Sequence, residues 1–189
     1  RQGELITDTD MMLIIDLNLT GKKITSIQGL EYSHNLEVLS LAHHSELEHL
    51  NNQVTDLTPL SSLKKLRILS LAFNKVTDIS SVRGLNNLSE LALQGNRISD
   101  INPLSRLINL KQLNLGGNPV KDISYLRDLT NLVGLGLDGT GITDISPIGQ
   151  MFNLTSLRID GNKISDINAL TGLTNLTSLN LDVNQITEI

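Results

Sequence analysis

The sequence predicts an α/β-type repeat protein: a right-handed solenoid with a parallel concave β-sheet and a convex side of 3₁₀ or extended segments. The first observation is a leucine that recurs every 22 residues. The second is the alternation around these leucines, as in Leu91-Ala92-Leu93, which is typical of a short strand. The third is a return path with apolar residues spaced by three. The recurring leucines are Leu69, Leu91, Leu113, Leu135, Leu157 and Leu179.

Each predicted unit folds back through its convex segment. In the unit that begins at Leu91, apolar residues recur at every third position from Ile98 to Leu110. This spacing favours tight 3₁₀-like turns over a long α-helix. Strands that recur at a fixed interval lie parallel, about 4.8 Å apart, so all units share one core. A single unit cannot bury its apolar face, so about eight units, the last incomplete, stack for stability.

Three polar columns accompany the apolar repeat. An inward asparagine after each strand is predicted to bond the backbone of adjacent turns, and Thr140, which replaces it once, to do so only in part. A second asparagine precedes a convex leucine. The third column, of aspartates, is interpreted as bonding local backbone donors, with a calcium array as the alternative. The columns are Asn74, Asn96, Asn118, Asn162 and Asn184; Asn87, Asn109, Asn131, Asn153 and Asn175; and Asp56, Asp78, Asp100, Asp122, Asp144 and Asp166.

The composition argues against several classes of protein. Of the 189 residues 2% are aromatic and none is cysteine, which excludes disulfides and thiolate metal sites. The net charge of −5 is spread out and argues against nucleic-acid binding. The longest apolar run, Met11 to Ile15, is too short to span a membrane. No motif places a nucleophile beside a base, so the sequence predicts no enzyme and no cofactor.

The repeat resembles a known bacterial family. The stretch "NRISDINPLSRLINLKQLNL", residues 96–115, is similar almost letter for letter to the leucine-rich repeats of the internalin type. The resemblance covers residues 17–189. Residues 1–16 resemble part of a helical N-terminal cap, with Thr7 or Thr9 as the N-cap and Met11 to Ile15 sealing the core. Because Ile189 falls in mid-repeat, we expect the chain to be a piece of a longer protein.

The resemblance implies a function. Internalin-like proteins are secreted or surface proteins of Gram-positive bacteria that bind another macromolecule, often a host protein, and we expect a mainly monomeric adhesion or recognition module. One alternative is a rigid spacer that presents another domain, such as a haem- or wall-binding one. A second alternative is an intracellular scaffold or regulator, because phosphatase-1 regulatory proteins also use 22-residue leucine-rich repeats.

The outward positions of the strands are the candidate partner-binding face. They are small and apolar in the first units, uncharged in the middle and acidic at the end. Tight interfaces favour Trp, Tyr and Arg, and this face offers chiefly Arg158, with Phe73 at its margin. The candidate residues are Ser40, Ser70, Ala72, Phe73, Glu90, Gln94, Gln112, Asn114, Asp138, Ser156, Arg158, Asp160, Asn180 and Asp182.

An insertion near residues 44–51 lengthens one unit from 22 to 30 residues. It contains or adjoins His43, His44, Glu48 and His49. Three hypotheses remain open: a contact patch with Phe73 for a partner or haem, a weak metal site with His44 and His49, or a solvated loop without a specific role. The spacing matches no established zinc motif, so the sequence predicts no metal site. The register predicts that His43 and Phe73 are neighbours, since they are one repeat apart.

Overall fold

One parallel sheet of eight strands runs the length of the protein. The computed structural model describes residues 7–43 and 52–188. Each strand pairs only with the strands before and after it in sequence, and each central leucine lies opposite the next, as in Leu69 and Leu91. The predicted leucine-rich-repeat solenoid is therefore confirmed. The strands are β1 (Asp16–Asn18), β2 (Val38–Ser40), β3 (Ile68–Ser70), β4 (Glu90–Ala92), β5 (Gln112–Asn114), β6 (Gly134–Gly136), β7 (Ser156–Arg158) and β8 (Ser178–Asn180).

The convex side consists of short 3₁₀ helices, as the spacing by threes predicts. In the described residues they are Leu30–Tyr32, Thr58–Ser62, Ser80–Val82, Asn102–Leu104, Ser124–Leu126, Ser146–Ile148 and Asn168–Leu170. Proline near the start of several fixes the backbone for the turn, as at Pro103. The α-helix that the structure describes, α1 (Asp8–Met12), has five residues. No helix within the described ranges has the length and hydropathy to cross a membrane.

A single apolar core lies between the sheet and the convex helices. The central strand leucines are nearly inaccessible, with Leu113 only 2% exposed. In the same stretch of chain, Ile98, Ile101, Leu104 and Leu107 are fully buried. These residues belong to one continuous cluster that extends from Ile27 to Leu173. The core therefore grows by stacking identical layers, and no unit buries its apolar residues alone.

The N-terminal helix is capped as the sequence predicts, but it seals the core only in part. The Thr7 hydroxyl accepts a hydrogen bond from the Asp10 N–H, and the Asp10 carboxylate accepts one from the Thr7 N–H. Met11 and Ile14 pack against the core. The other residues of this apolar run, Met12, Leu13 and Ile15, are exposed. Because α1 is only five residues long, it turns only one apolar stripe towards the first repeat.

A buried asparagine ties each repeat to its neighbours. The Asn118 Oδ1 accepts a hydrogen bond from the Ile98 N–H at 3.0 Å. Its Nδ2 donates to the carbonyls of Leu93 and Leu115, each at 2.9 Å. The side chain thus satisfies three backbone groups in two units, as the sequence predicts. Asn74, Asn96, Asn162 and Asn184 follow the same pattern.

The asparagine column resumes immediately after the insertion. Asn52 accepts from the Ile24 N–H at 2.8 Å and donates to the Leu19 and Leu41 carbonyls, both at 2.8 Å. On either side of the insertion, β2 and β3 pair without a shift in register. The eight additional residues therefore leave the stacking of the units intact.

Thr140 interrupts the column, and the next unit adapts. The Thr140 hydroxyl donates to the Leu137 carbonyl at 2.9 Å and to the Asn162 Oδ1 at 3.0 Å. The same Asn162 oxygen also accepts from the N–H groups of Gly141 and Ile142. Threonine thus bonds its own turn and the following unit, whereas Asn118 bonds its own turn and the unit before it.

The second asparagine column forms an exposed ladder along one edge. The Asn131 Nδ2 donates to the Ile108 carbonyl at 2.8 Å, one unit back. The other members repeat this bond with the carbonyls of Lys64, Asn86, Thr130 and Phe152. Each bond joins adjacent turns in contact with water, so each contributes less than the buried asparagines do.

We predict that Asn118→Ala lowers the free energy of unfolding by about 3 kcal/mol. The substitution leaves the Ile98 N–H and the Leu115 carbonyl buried without partners, whereas the Leu93 carbonyl keeps the bond from Asn96. Each unsatisfied group costs about 1–3 kcal/mol before relaxation. Asn131→Ala, which removes one exposed bond, is the matched control and should cost under about 1 kcal/mol. Urea unfolding measures both. Equal losses for the two variants would contradict the assigned role of the buried column.

We also predict that Thr140→Asn stabilises the protein. An asparagine here gains the bonds that Asn118 makes to the preceding unit, in this case to the Val120 N–H and the Leu115 carbonyl. Two additional buried hydrogen bonds should raise the free energy of unfolding by about 1–2 kcal/mol. Urea unfolding of the variant beside the parent measures the change. No gain, or a loss, would show that the unit has adapted fully to threonine.

Candidate functional site

The concave side of the sheet presents three side-chain positions from every strand region. Two flank the central leucine and one follows the strand, so across eight strands they form three columns, each with side chains about 4.8 Å apart. The last column runs through Ala72, Gln94, Gly116, Asp138 and Asp160. The parallel pairing sets this register, as in Asn114 opposite Gly136. The face is thus an ordered array of small and polar groups.

A shallow groove lies over the middle of this face. Its volume is about 290 Å³, and its walls come from β3 to β7. Gly134 and Gly136 of β6 have no side chains to fill it, so the amide of Gln112 lies over Gly134 and that of Asn114 over Gly136. The groove therefore has a floor of strand backbone, below which the central leucines face the core, and a wall of amides that can donate and accept hydrogen bonds.

The C-terminal half of the face is acidic. Arg158 is about 54% exposed and contacts the Asp138 carboxylate at 3.3 Å and that of Asp160 at 4.0 Å. The other oxygen of Asp138 is shielded from solvent over Gly116. The Oδ1 atoms of Asp138 and Asp160 accept no hydrogen bond within residues 7–43 and 52–188. One guanidinium therefore only partly neutralises two neighbouring carboxylates.

An aromatic side chain lies at the margin of the concave face. Phe73 has a φ of 56°, in the left-handed region that glycine occupies at the equivalent positions of later units, including Gly95. A non-glycine residue there costs about 1–2 kcal/mol. The ring covers Gly95 and meets the His43 ring edge-on, with 6.4 Å between the ring centres. The register prediction that His43 and Phe73 are neighbours is confirmed, and 39% of Phe73 remains exposed.

Two of the predicted contact residues are not accessible to a partner. Ala72 is 3% exposed and His43 is 7% exposed. The Ala72 methyl group is shorter than the side chains around it, so they cover it. The His43 ring is buried because it packs against Phe73. Of the insertion residues, His44, Glu48 and His49 lie outside the described residues. The partly or fully exposed candidates are Ser40, Ser70, Phe73, Glu90, Gln94, Gln112, Asn114, Asp138, Ser156, Arg158, Asp160, Asn180 and Asp182.

The structure adds residues that the sequence analysis missed. Strand β1 pairs in register with β2, which places Asp16, Asn18 and Thr20 on the same concave face. The Thr20 and Ser40 hydroxyls are 2.8 Å apart and share a hydrogen bond. The alternation of Leu17 and Leu19 is the sequence signal that identifies this strand.

The aspartate column has a structural role. In each unit the carboxylate accepts a hydrogen bond from the N–H two residues on, as Asp122 does from Ser124 at 2.8 Å. The backbone N–H and hydroxyl of Ser124 hold the pKa of Asp122 below its ordinary value, and Ser146 does the same for the pKa of Asp144. These ionised side chains open the 3₁₀ turns, as the interpretation from sequence predicts. The other members are Asp56, Asp78, Asp100 and Asp166.

The concave geometry suits binding better than catalysis. Acid–base chemistry needs groups within hydrogen-bonding reach of one reacting atom. The concave columns repeat amide, hydroxyl and carboxylate groups instead, and about four strand spacings, roughly 19 Å, separate the unit of His43 from that of Asp138. Within the described ranges, no group of His, Cys, Asp and Glu has the arrangement of a metal site.

Comparison with known proteins identifies the family. The family described as Leucine Rich repeats (2 copies) matches residues 47–84, 64–106, 86–128 and 152–189. Internalin C2 from Listeria monocytogenes is 36% identical over 97% of this chain and 78% of its own, with a TM-score of 0.85. The chain belongs to the internalin-type leucine-rich-repeat family. It is thus a leucine-rich-repeat module of the class that mediates protein interactions.

Other internalins share the fold over different lengths. InlF from Listeria monocytogenes is 33% identical, with a TM-score of 0.62, and the match covers 98% of this chain and 66% of InlF. InlJ from the same species is 26% identical, with a TM-score of 0.81, and the match covers 96% of this chain and 38% of InlJ. A search of curated proteins gives no match.

Proposed function

We propose that this internalin-type chain is a recognition module that binds a host macromolecule through its concave face. The protein that carries it is proposed to be secreted or surface-bound in a Gram-positive bacterium. The groove of about 290 Å³ over β3 to β7, lined by exposed polar and apolar groups, carries this proposal. The internalins of Listeria monocytogenes with the same repeat support the assignment to such a protein.

The concave groups fit recognition of a polypeptide surface. Gln112 and Asn114 offer amide donors and acceptors, Ser70 and Ser156 offer hydroxyls, and Arg158 offers a guanidinium. Between them lie partly exposed apolar side chains and the strand backbone. Such a mixture resembles the polar rim and apolar centre of protein interfaces. The repeated layers hold the sheet rigid, so a partner meets a preorganised face and binding requires little ordering of the module.

We predict that Ser70→Trp with Ser156→Trp abolishes capture of an extracellular host protein by the immobilised chain. Both side chains line the groove, and two indoles would fill it. The matched control is Thr130→Trp with Thr174→Trp. These two convex positions are equivalent in the repeat to Ile108 and Phe152, both large and exposed, so tryptophan fits there. Quantitative pull-down compares the variants with the parent.

The outcomes separate the proposed function from its alternative. Loss of a captured partner in the groove variant alone supports recognition by the concave face. Equal capture by both variants would contradict it. No specific partner for the parent would favour the alternative function, in which the repeats are a rigid spacer that presents another domain.

A further inference from the structure

We infer that the concave face binds an extended basic segment of its partner, with a Lys or Arg side chain beside Asp138 and Asp160 and an apolar side chain near Phe73. The inference rests on the proposed function and specifies the chemistry of the partner. It follows from the charge of the face, its shielded acceptors, its glycine strand and its exposed aromatic ring.

The negative charge of the chain is concentrated on the concave face. The face carries one cation, Arg158, and five carboxylates, which gives a net charge of −4 of the −5 of the whole chain. The remaining 14 Lys and Arg and 15 Asp and Glu nearly cancel. A cationic partner is therefore attracted to this face. The five carboxylates are Asp16, Glu90, Asp138, Asp160 and Asp182.

The acceptors of the face are already shielded from water. The Oδ1 atoms of Asp138 and Asp160 and the Oε1 of Gln94 have no hydrogen-bond donor among the described residues. A cationic donor that reaches these oxygens through small side-chain rotations satisfies acceptors whose desolvation is complete before binding. A carboxylate from a partner that approached Arg158 would instead be repelled by Asp138 and Asp160, which both contact this arginine.

The glycines of β6 allow a backbone to approach the sheet. Gly134 and Gly136 carry no side chains of their own, and the amides of Gln112 and Asn114 lie over them, so a narrow chain can approach β6 by resting on these amides. A bulky folded surface would be stopped by the side chains on either side. The shape therefore fits an extended segment with small residues at its centre, whose backbone can bond to Gln112 and Asn114.

The two ends of the face set the spacing of the segment. The unit of Phe73 lies three strands from that of Asp138 and four from that of Asp160, or about 14–19 Å. An extended chain advances about 3.3 Å per residue, so the apolar and basic side chains are about four to six residues apart. Phe73 and Ile68 provide the apolar contact at the first end, where the concave side chains are uncharged.

The test uses a phage-displayed library of random 12-residue peptides selected on the immobilised chain. Enriched peptides should carry Lys or Arg four to six residues from an aromatic or aliphatic residue. Asp138→Asn with Asp160→Asn should weaken their binding by about tenfold or more. The matched control, Asp128→Asn with Glu188→Gln, makes the same change in net charge at exposed positions outside the face and should bind as the parent does.

Each result decides between the inference and the proposed function. The basic segment would be overturned by peptides that bind the variant with Asp138→Asn and Asp160→Asn as tightly as the control variant. Enriched peptides without a basic residue, or no enrichment of any peptide, would overturn it as well. If binding then still depends on Ser70 and Ser156, the concave face remains the recognition site. Peptide binding that ignores the tryptophan variants at those serines would overturn both.

Discussion

A buried asparagine at the bend after most strands satisfies backbone groups of two adjacent repeats. The bend turns carbonyls and N–H groups into the core, where an unsatisfied polar group is costly. Asn118 meets this demand by accepting one hydrogen bond and donating two. The bonds cross from unit to unit, so the same side chain also fixes the spacing of the stack.

The concave columns depend on this spacing. The inward positions are almost all leucine, isoleucine, valine or asparagine, with Thr140 and Met151 as exceptions, so most of the chemical variety lies at the outward positions. These vary from Ser70 at one end through Gly134 to Asp160 at the other while their backbone stays in register. The solenoid thus separates the residues that stabilise it from the residues that recognise a partner. Phe73 has a strained backbone and lies among the outward residues, which favours a role in contacting a partner over a role in folding.

The period of the sequence predicts most of the fold, because each layer repeats the same constraints. The sheet, the 3₁₀ convex side, the asparagine and aspartate bonds and the proximity of His43 to Phe73 all follow from register. The exposure of the side chains at the site does not follow from the register. It depends on which side chains cover their neighbours, as Gln112 covers Gly134 and as the rings of Phe73 and His43 meet.

Other features also depend on contacts that the repeat does not specify. The Asn162 oxygen accepts three hydrogen bonds because Thr140 lies one unit before it. The aligned repeat sequences do not predict this adjustment. At the N-terminus the apolar run from Met11 to Ile15 predicts a full seal of the core, whereas only Met11 in the five-residue helix and Ile14 just after it pack against the core. Periodicity fixes the layers, and side-chain packing between unequal layers determines the site.

The most direct test of the concave face is site-specific photocrosslinking to extracellular host proteins. A photoreactive phenylalanine analogue would replace Gln112 on the face or Asp128 on the convex side, both exposed positions. The account predicts a discrete covalent adduct from Gln112 and none from Asp128. Adducts from Asp128 alone, or from neither position, would contradict recognition by the concave face.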